Sequence, residues 1–133
     1  MYRILLIEDE PGMLGEVVQL LAEWEGITLI GPVGSEQAVT EVKKSQPDLG
    51  LLGWDEAMTG LETLYALIAL PVVPAMIVLA AVEHPHLRGA VKAMGVRATL
   101  SLSKARTHLR ALIDTVRNEF RPTKLVPPSG DLR

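Results

Sequence analysis

Short apolar runs alternate with longer amphipathic segments along this chain. The first run, Tyr2–Ile7, ends at an acidic triplet, and Leu14, Val17, Val18 and Leu21 then follow at i, i+3, i+4 and i+7. A short apolar run predicts a β-strand, and this spacing predicts a helix with a single apolar stripe. The chain therefore begins with a predicted strand and a predicted helix.

The same strand-and-helix pair recurs four more times. The later predicted strands are Ile27–Val33, Asp48–Gly53, Ala75–Ala80 and Ala98–Leu102. The later helices are indicated by apolar stripes at Ala38, Val39 and Val42, at Leu61, Leu64, Tyr65 and Ile68, at Leu87, Ala90, Val91 and Met94, and at Leu109, Leu112, Ile113 and Val116. Ser35 is placed to cap the second helix, and residues 54–60 are predicted to form a loop.

Strict alternation of strands and helices predicts an α/β fold. The strands should form one parallel sheet, with right-handed crossovers and helices on both faces. In such sheets, ligands bind outside the carboxyl ends of the strands. Catalytic or binding residues are therefore expected in the loops after the first, third, fourth and fifth strands, at residues 8–10, 53–60, 80–83 and 102–104.

Composition narrows the class of protein. A chain of 133 residues has room for one core, which we assign to residues 1–121, with residues 122–133 as a flexible C-terminal tail. Apolar residues make up 48% and charged residues 22%, as in soluble globular proteins. The absence of cysteine favours the cytoplasm and excludes thiolate metal sites. No run is long enough for a membrane span, and the net charge of −3, with scattered Lys and Arg, argues against nucleic-acid binding.

Four sequence segments resemble a known family. They are Ile4–Pro11 with its acidic residues, Gln46–Leu49 before the apolar end of the third strand, Gly60–Glu62 opening the third helix, and Pro74–Ala81 around the fourth strand. Together they resemble the response-regulator receiver domain, the module that accepts a phosphoryl group from a histidine kinase. The resemblance runs from Arg3 to about Glu119, and it implies a flavodoxin-like, doubly wound five-stranded sheet of order 2-1-3-4-5.

The resemblance also implies a phosphorylation site from which most of the reactive groups are missing. The phosphoacceptor aspartate should lie five residues after Asp48, where this chain has Gly53, and glycine cannot form an acyl phosphate. By the same comparison, Ala80 replaces a Ser or Thr, Leu102 replaces a lysine, and Thr99 replaces a movable aromatic residue. The family's phosphorylation chemistry is therefore predicted to be lost.

An acidic cluster remains at the same edge of the predicted sheet. Glu8 and Asp9 align with the acidic pair that binds Mg²⁺ in the family, and carboxylate oxygens suit that ion. Asp55 and Glu56 lie in the loop after the third strand. We expect no resident cofactor, with weak Mg²⁺ binding at Glu8 and Asp9 as the alternative. Asp55 is the candidate for a displaced phosphoacceptor, and Glu56 beside it could take the same role.

A second alternative comes from Gly50 and Gly53, which interrupt a central strand and leave no side chain to fill the space beside it. A nearby side chain such as Trp54 or Met58, or a bound small molecule, should occupy that space. If a small molecule does so, the protein is a small-ligand sensor.

Taken together, the sequence predicts a stand-alone, non-enzymatic pseudo-receiver that signals by binding a protein partner, such as a histidine kinase or another signalling protein. In related domains the output and dimer face is formed by the fourth helix, the fifth strand and the fifth helix. Here we expect that face, and a homodimer through it, to use Leu87, Ala90, Val91, Met94, Leu100, Leu109 and Leu112. Neither nucleic acid nor a membrane is expected as a partner.

Overall fold

The structure is a computed structural model, and it describes residues 1–54, 60–81 and 85–119. Strands and helices alternate along the chain. The strands are β1 (Tyr2–Ile7), β2 (Ile27–Val33), β3 (Leu49–Trp54), β4 (Ala75–Ala80) and β5 (Ala98–Ser101). The helices are α1 (Gly15–Ala22), α2 (Ser35–Ser45), α3 (Gly60–Ile68), α4 (Pro85–Ala93) and α5 (Leu102–Glu119).

All five strands are parallel and form one sheet in the order β2-β1-β3-β4-β5. This confirms the predicted α/β fold and the flavodoxin-like strand order. The order places β1 and β2 on one side of β3, and β4 and β5 on the other. The carboxyl ends of all strands meet at one edge, where the predicted site residues lie.

Two hydrophobic layers cover the faces of the sheet. Consecutive strand side chains point to opposite faces, so Ile4 and Leu6 join the layer with α1 and α5, whereas Leu5 and Ile7 join the layer with α2, α3 and α4. Every residue of β3 and β4 is buried, as expected for central strands covered on both faces. The ends of the strands, where the candidate site lies, are therefore supported by a sheet that is packed on both faces.

Several predicted boundaries were wrong by one residue. β3 continues through Trp54, which was predicted to be in the loop, and β5 ends at Ser101, so that Leu102 is the first residue of α5. Ser35 is the first helical residue of α2, and the capping position is Gly34. In α3, Tyr65 is 57% exposed, so it does not belong to the buried stripe; the buried apolar side chains are Leu64 and Leu67, spaced one turn apart.

The ends of α2 and α4 coincide with residues in the left-handed backbone conformation. Gln46 closes α2 in the left-handed conformation, with φ 47°, and its N–H donates to the carbonyl of Val42 before Pro47 ends the helical path. Gly95, with φ +96°, follows α4 in the way that the sequence predicts. Within the described ranges, no helix has the length and apolar character needed to cross a bilayer.

Candidate functional site

The carboxyl edge of the sheet brings the predicted site positions together. Ile7 is level with Leu52 in the adjacent strands, so that Glu8 and Gly53 follow at the same height. Gly53 and Leu79 are partners in β3 and β4, and Ala80 is paired with Ser101 of β5. The residues that the resemblance assigns to the degenerate phosphorylation site thus lie on neighbouring strands at one edge.

Side chains occupy the space beside Gly53. A Cβ on this glycine would lie 3.2 Å from Met13 Sδ, 3.3 Å from Leu14 Cδ2 and 3.4 Å from the carbonyl oxygen of Ile7. Leu14 is fully buried. Two apolar side chains from the segment between β1 and α1 therefore crowd the position at which a side chain at residue 53 would start, and they would have to move by a few tenths of an ångström to admit one.

Gly50 is packed by a different methionine. A Cβ at position 50 would lie 2.6 Å from Met76 Sδ, which belongs to the neighbouring strand β4. Trp54, one of the predicted fillers, instead lies against Gly60. The other predicted filler, Met58, lies outside the described residues. Side chains thus fill the space that motivated the small-ligand alternative, and Met13, Leu14 and Met76 were the residues that the sequence reasoning missed.

Glu8 holds the loop that leads into α1. Its Oε1 accepts a hydrogen bond from the Gly12 N–H at 3.2 Å, and its Oε2 accepts one from the Leu14 N–H at 2.8 Å. The residue at the start of α1, Leu14, has no side-chain oxygen with which to cap the helix. The Glu8 carboxylate, six residues earlier, accepts the Leu14 N–H at the helix start and the Gly12 N–H in the turn before it.

Asp9 performs the same task for α2. Its Oδ1 accepts a hydrogen bond from the Ser35 N–H at 2.8 Å, and its Oδ2 accepts one from the Ser35 hydroxyl. Gln37 completes this helix start, because its Oε1 accepts the Gly34 N–H at 3.1 Å. A carboxylate near the first turn also interacts favourably with the helix dipole. Asp9 thereby links the end of β1 to the start of α2.

The carboxylates of Glu8 and Asp9 therefore accept hydrogen bonds at the starts of α1 and α2. The described residues contain no group of three or more His, Cys, Asp or Glu side chains positioned to hold a metal ion. Asp55 and Glu56, the other two members of the predicted acidic cluster, lie outside the described residues. Weak Mg²⁺ binding at Glu8 and Asp9 stays a prediction, and an ion there would compete with backbone N–H donors for the same oxygens.

The hydroxyl group at this edge comes from β5. Ala80 ends β4 and supplies no polar atom, but its partner Ser101 is 5% exposed, and its Oγ lies 3.1 Å from the Ser103 Oγ. Sequence reasoning missed Ser101. Thr99 lies two residues before the end of β5, level with Val78, and Leu102 packs against the apolar layer beneath α5. At these positions the edge offers a pair of hydroxyl groups, of which Ser101 is buried and Ser103 is exposed, and an aliphatic side chain.

The predicted output face needs a correction. Val91 and Leu109 are both 0% exposed and belong to the two hydrophobic layers, so neither side chain can contact a partner. Both lie on the sheet-facing side of their helices. Ala90 is exposed. The other four predicted residues are half-buried at the rim, namely Leu87, Met94, Leu100 and Leu112.

Neither a protein-family model nor a curated protein matches this sequence. Solved structures do match. The receiver domain of the response regulator NarL from Mycobacterium tuberculosis superposes with a TM-score of 0.75 at 20% identity, over 87% of this chain and 96% of that one. The isolated receiver domain of RcsB from Salmonella enterica serovar Typhimurium gives a TM-score of 0.77 at 16% identity, over 91% of each chain.

The chain has the fold of a receiver domain. A further match, the RcsB–DNA complex, has a TM-score of 0.77 at 16% identity and covers 92% of this chain, but only 64% of that one. This chain thus spans less than two thirds of the RcsB chain in that complex.

Proposed function

We propose that this protein is an atypical receiver of the response-regulator type, which takes part in cytoplasmic signal transduction by binding a partner protein and is not phosphorylated on aspartate. The receiver-domain fold supports the signalling role. The single observation that carries the proposal is the packing at Gly53, where Met13 and Leu14 occupy the space in which a reactive side chain would begin.

The surroundings of Gly53 support the same conclusion. Phosphoryl transfer depends on a nucleophile in line with the phosphorus atom and on groups that neutralise the developing charge. At this edge, Glu8 and Asp9 accept backbone hydrogen bonds, and Ala80 and Leu102 contribute neither a hydroxyl nor a cation. Among the described residues, this edge offers neither the family's nucleophile nor the groups that support it, which favours a binding role.

Incubation with acetyl phosphate and Mg²⁺, followed by intact-mass spectrometry, tests the proposal. We expect the wild-type mass to be unchanged, whereas a receiver domain with its aspartate intact, treated in parallel, should gain one phosphoryl group. A gain in the wild type that is lost in Asp55→Asn would establish the displaced-phosphoacceptor alternative. A gain that persists in Asp55→Asn but disappears in Glu56→Gln would assign the reaction to Glu56.

The partner-binding surface can be tested with two exposed helical alanines. Ala90 of α4 lies on the proposed output face, whereas Ala66 of α3 lies on another helix. Proximity labelling in cells should lose its specific neighbours with Ala90→Glu and keep them with Ala66→Glu. Equal labelling patterns for the two variants would exclude this face, while leaving the result of the mass measurement unaffected.

A further inference from the structure

The fold sorts the charges of this chain onto two sides of the molecule. Residues 1–54 contain nine Asp and Glu against three Lys and Arg, a net charge of −6. Residues 85–119 contain two Asp and Glu against seven Lys and Arg, a net charge of +5. Between them, residues 60–81 contain a single charged side chain, Glu62. Basic residues that look scattered along the whole sequence are thus concentrated in its later part.

Sheet topology turns this asymmetry along the chain into an asymmetry in space. α1 packs on β2, and α2 packs on β1 and β2, so the acidic part of the chain forms the β2 side of the molecule. α4 packs on β5, and α5 packs on β4 and β5, so the basic part forms the β5 side. On one face of the sheet, α3 packs on the central strand β3. On the other face α1 contacts α5, and the Arg106 guanidinium of α5 lies 3.5 Å from the Glu16 carboxylate of α1. The charges that face away from the rest of the molecule are therefore those at the two outer edges, beside β2 and beside β5.

The acidic side is exposed along the outer strand β2. Glu23 and Glu25 lie between the end of α1 and the start of β2, and Glu36 lies in the first turn of α2; all three are exposed. β2 itself contains no charged residue. An uncharged outer strand is therefore bordered by carboxylates on both of its flanks.

The basic side has a matching arrangement along β5. Arg88 and Lys92 are exposed and four residues apart, and therefore lie on one row of α4. Arg97, which forms an ion pair with Glu119, precedes β5, and Lys104 follows it in the first turn of α5. β5, with the sequence Ala-Thr-Leu-Ser, contains no charged residue. This is again an uncharged outer strand with charged flanks, but of the opposite sign.

We propose that two copies of this chain associate head to tail, with the acidic β2 side of one copy docked against the basic β5 side of the next. A symmetric contact would place like charges opposite each other on either side, which costs free energy. The heterologous contact instead pairs the carboxylates beside β2 with the cations beside β5, and it leaves one free side at each end for a further copy. The inference rests on the proposed function because the basic β5 side includes the proposed output face. It does not depend on whether Gly53 prevents phosphorylation.

Sedimentation velocity over a range of protein concentrations tests the proposal. At low salt, the wild type should show a weight-average mass that rises with concentration above that of the 14.4 kDa monomer. At about 0.5 M NaCl it should be monomeric, since the Debye length then falls to about 4 Å. A wild type that stays monomeric at low salt, or that associates equally at both salt concentrations, overturns the proposal.

Charge reversal identifies the two sides. Glu23→Lys with Glu25→Lys places positive charge on one flank of β2, and Arg88→Glu with Lys92→Glu places negative charge on α4 beside β5. Each double variant alone should be monomeric at low salt, and an equimolar mixture of the two should associate again, because the reversed sides complement each other. A mixture that remains monomeric, or either variant associating alone as the wild type does, contradicts the head-to-tail contact.

Glu62→Lys on α3 is the matched control, because it reverses an exposed charge between the two sides. It should associate like the wild type, and loss of association in this variant would mean that overall charge, not the two sides, is responsible. Circular dichroism checks that each variant is folded; for a variant that is not, the corresponding glutamine substitutions replace the reversals. The acetyl phosphate experiment is read separately, so failure of this contact and failure of the proposed function can be told apart.

Discussion

The indole ring of Trp54 lies directly against the backbone of Gly60. A Cβ at position 60 would come within 2.8 Å of the Trp54 Cε3 atom. Trp54 is the last residue of β3 and is 2% exposed, and Gly60 is the first residue of α3. This contact fixes both ends of the segment that follows the third strand, next to the candidate site.

Gly60→Ala should therefore destabilise the protein. The added methyl group overlaps a buried, rigid ring, and such overpacking costs about 1–3 kcal/mol of unfolding free energy. Gly89→Ala on the exposed surface of α4 is the matched control, because nothing lies within 4 Å of its Cβ position. Urea denaturation should show that Gly89→Ala is neutral or stabilising by up to about 1 kcal/mol. Equal stability of the two variants would argue against the Trp54 contact.

The cap function of the acidic pair gives a second prediction. Glu8→Ala and Asp9→Ala should each lower the free energy of unfolding by about 1 kcal/mol, because each removes the acceptor for a helix start. Glu10→Ala, next in the sequence and exposed, should change it by less than about 0.5 kcal/mol. If the two carboxylates instead repel each other in an empty cation site, the alanine variants would be more stable than the wild type in the same urea titrations.

Magnesium should not stabilise this fold. The oxygens of Glu8 and Asp9 already accept backbone N–H donors, which orient the carboxylates toward the starts of α1 and α2, so an ion would have to bind their remaining lone pairs or displace those donors. The melting temperature in millimolar MgCl2 should equal that in NaCl of the same ionic strength. A ligand that binds only the native state raises the melting temperature, so an increase specific to Mg²⁺ would reveal a cation site that includes these carboxylates.

The sequence predicted the features that depend on neighbouring residues, and it missed those that depend on contacts between distant parts of the chain. The bounds of β1, β2 and β4 were predicted correctly, because an acidic triplet, glycines and prolines interrupt the apolar runs at those points. β3 was predicted to end at Gly53, since glycine usually signals a turn. Its true end, Trp54, depends on burial of the indole against Gly60, a contact that sequence periodicity does not encode.

The candidate site, too, was predicted only in part: its location followed from the sequence, but the contacts of its residues did not. The sequence places Glu8, Asp9, Gly53 and Ala80 at one edge, because parallel strands end together. The role of the acidic pair could not be predicted, since the donors for Asp9 come from Ser35, 26 residues away. Val91 and Leu109 were assigned to a surface because a helical stripe shows which residues share a face, and not whether that face meets the sheet or a partner.

Tyr2 provides the last prediction, which concerns pH. Its hydroxyl is buried without a hydrogen-bond partner among the described residues. The Arg117 guanidinium lies over its ring, 4.9 Å from the ring centroid. Burial, followed by the nearby Asp48, raises the pKa of Tyr2 from 10.0 to about 12, against the opposing effect of Arg117. Between these two pH values the unfolded chain releases the proton and the folded chain keeps it, so stability falls as pH rises.

Tyr2→Phe should remove that part of the pH dependence. In urea titrations at about pH 9 and about pH 11, the wild type should lose more unfolding free energy than the variant, because only the wild type has this phenol. At about pH 9 the variant should be equal to or up to about 1 kcal/mol more stable than the wild type, since it no longer buries an unpaired hydroxyl. Tyr65→Phe, which removes an exposed hydroxyl, serves as the control for tyrosine content. Parallel curves for the wild type and Tyr2→Phe would contradict a raised pKa, and a variant less stable at about pH 9 would show that the hydroxyl has a partner.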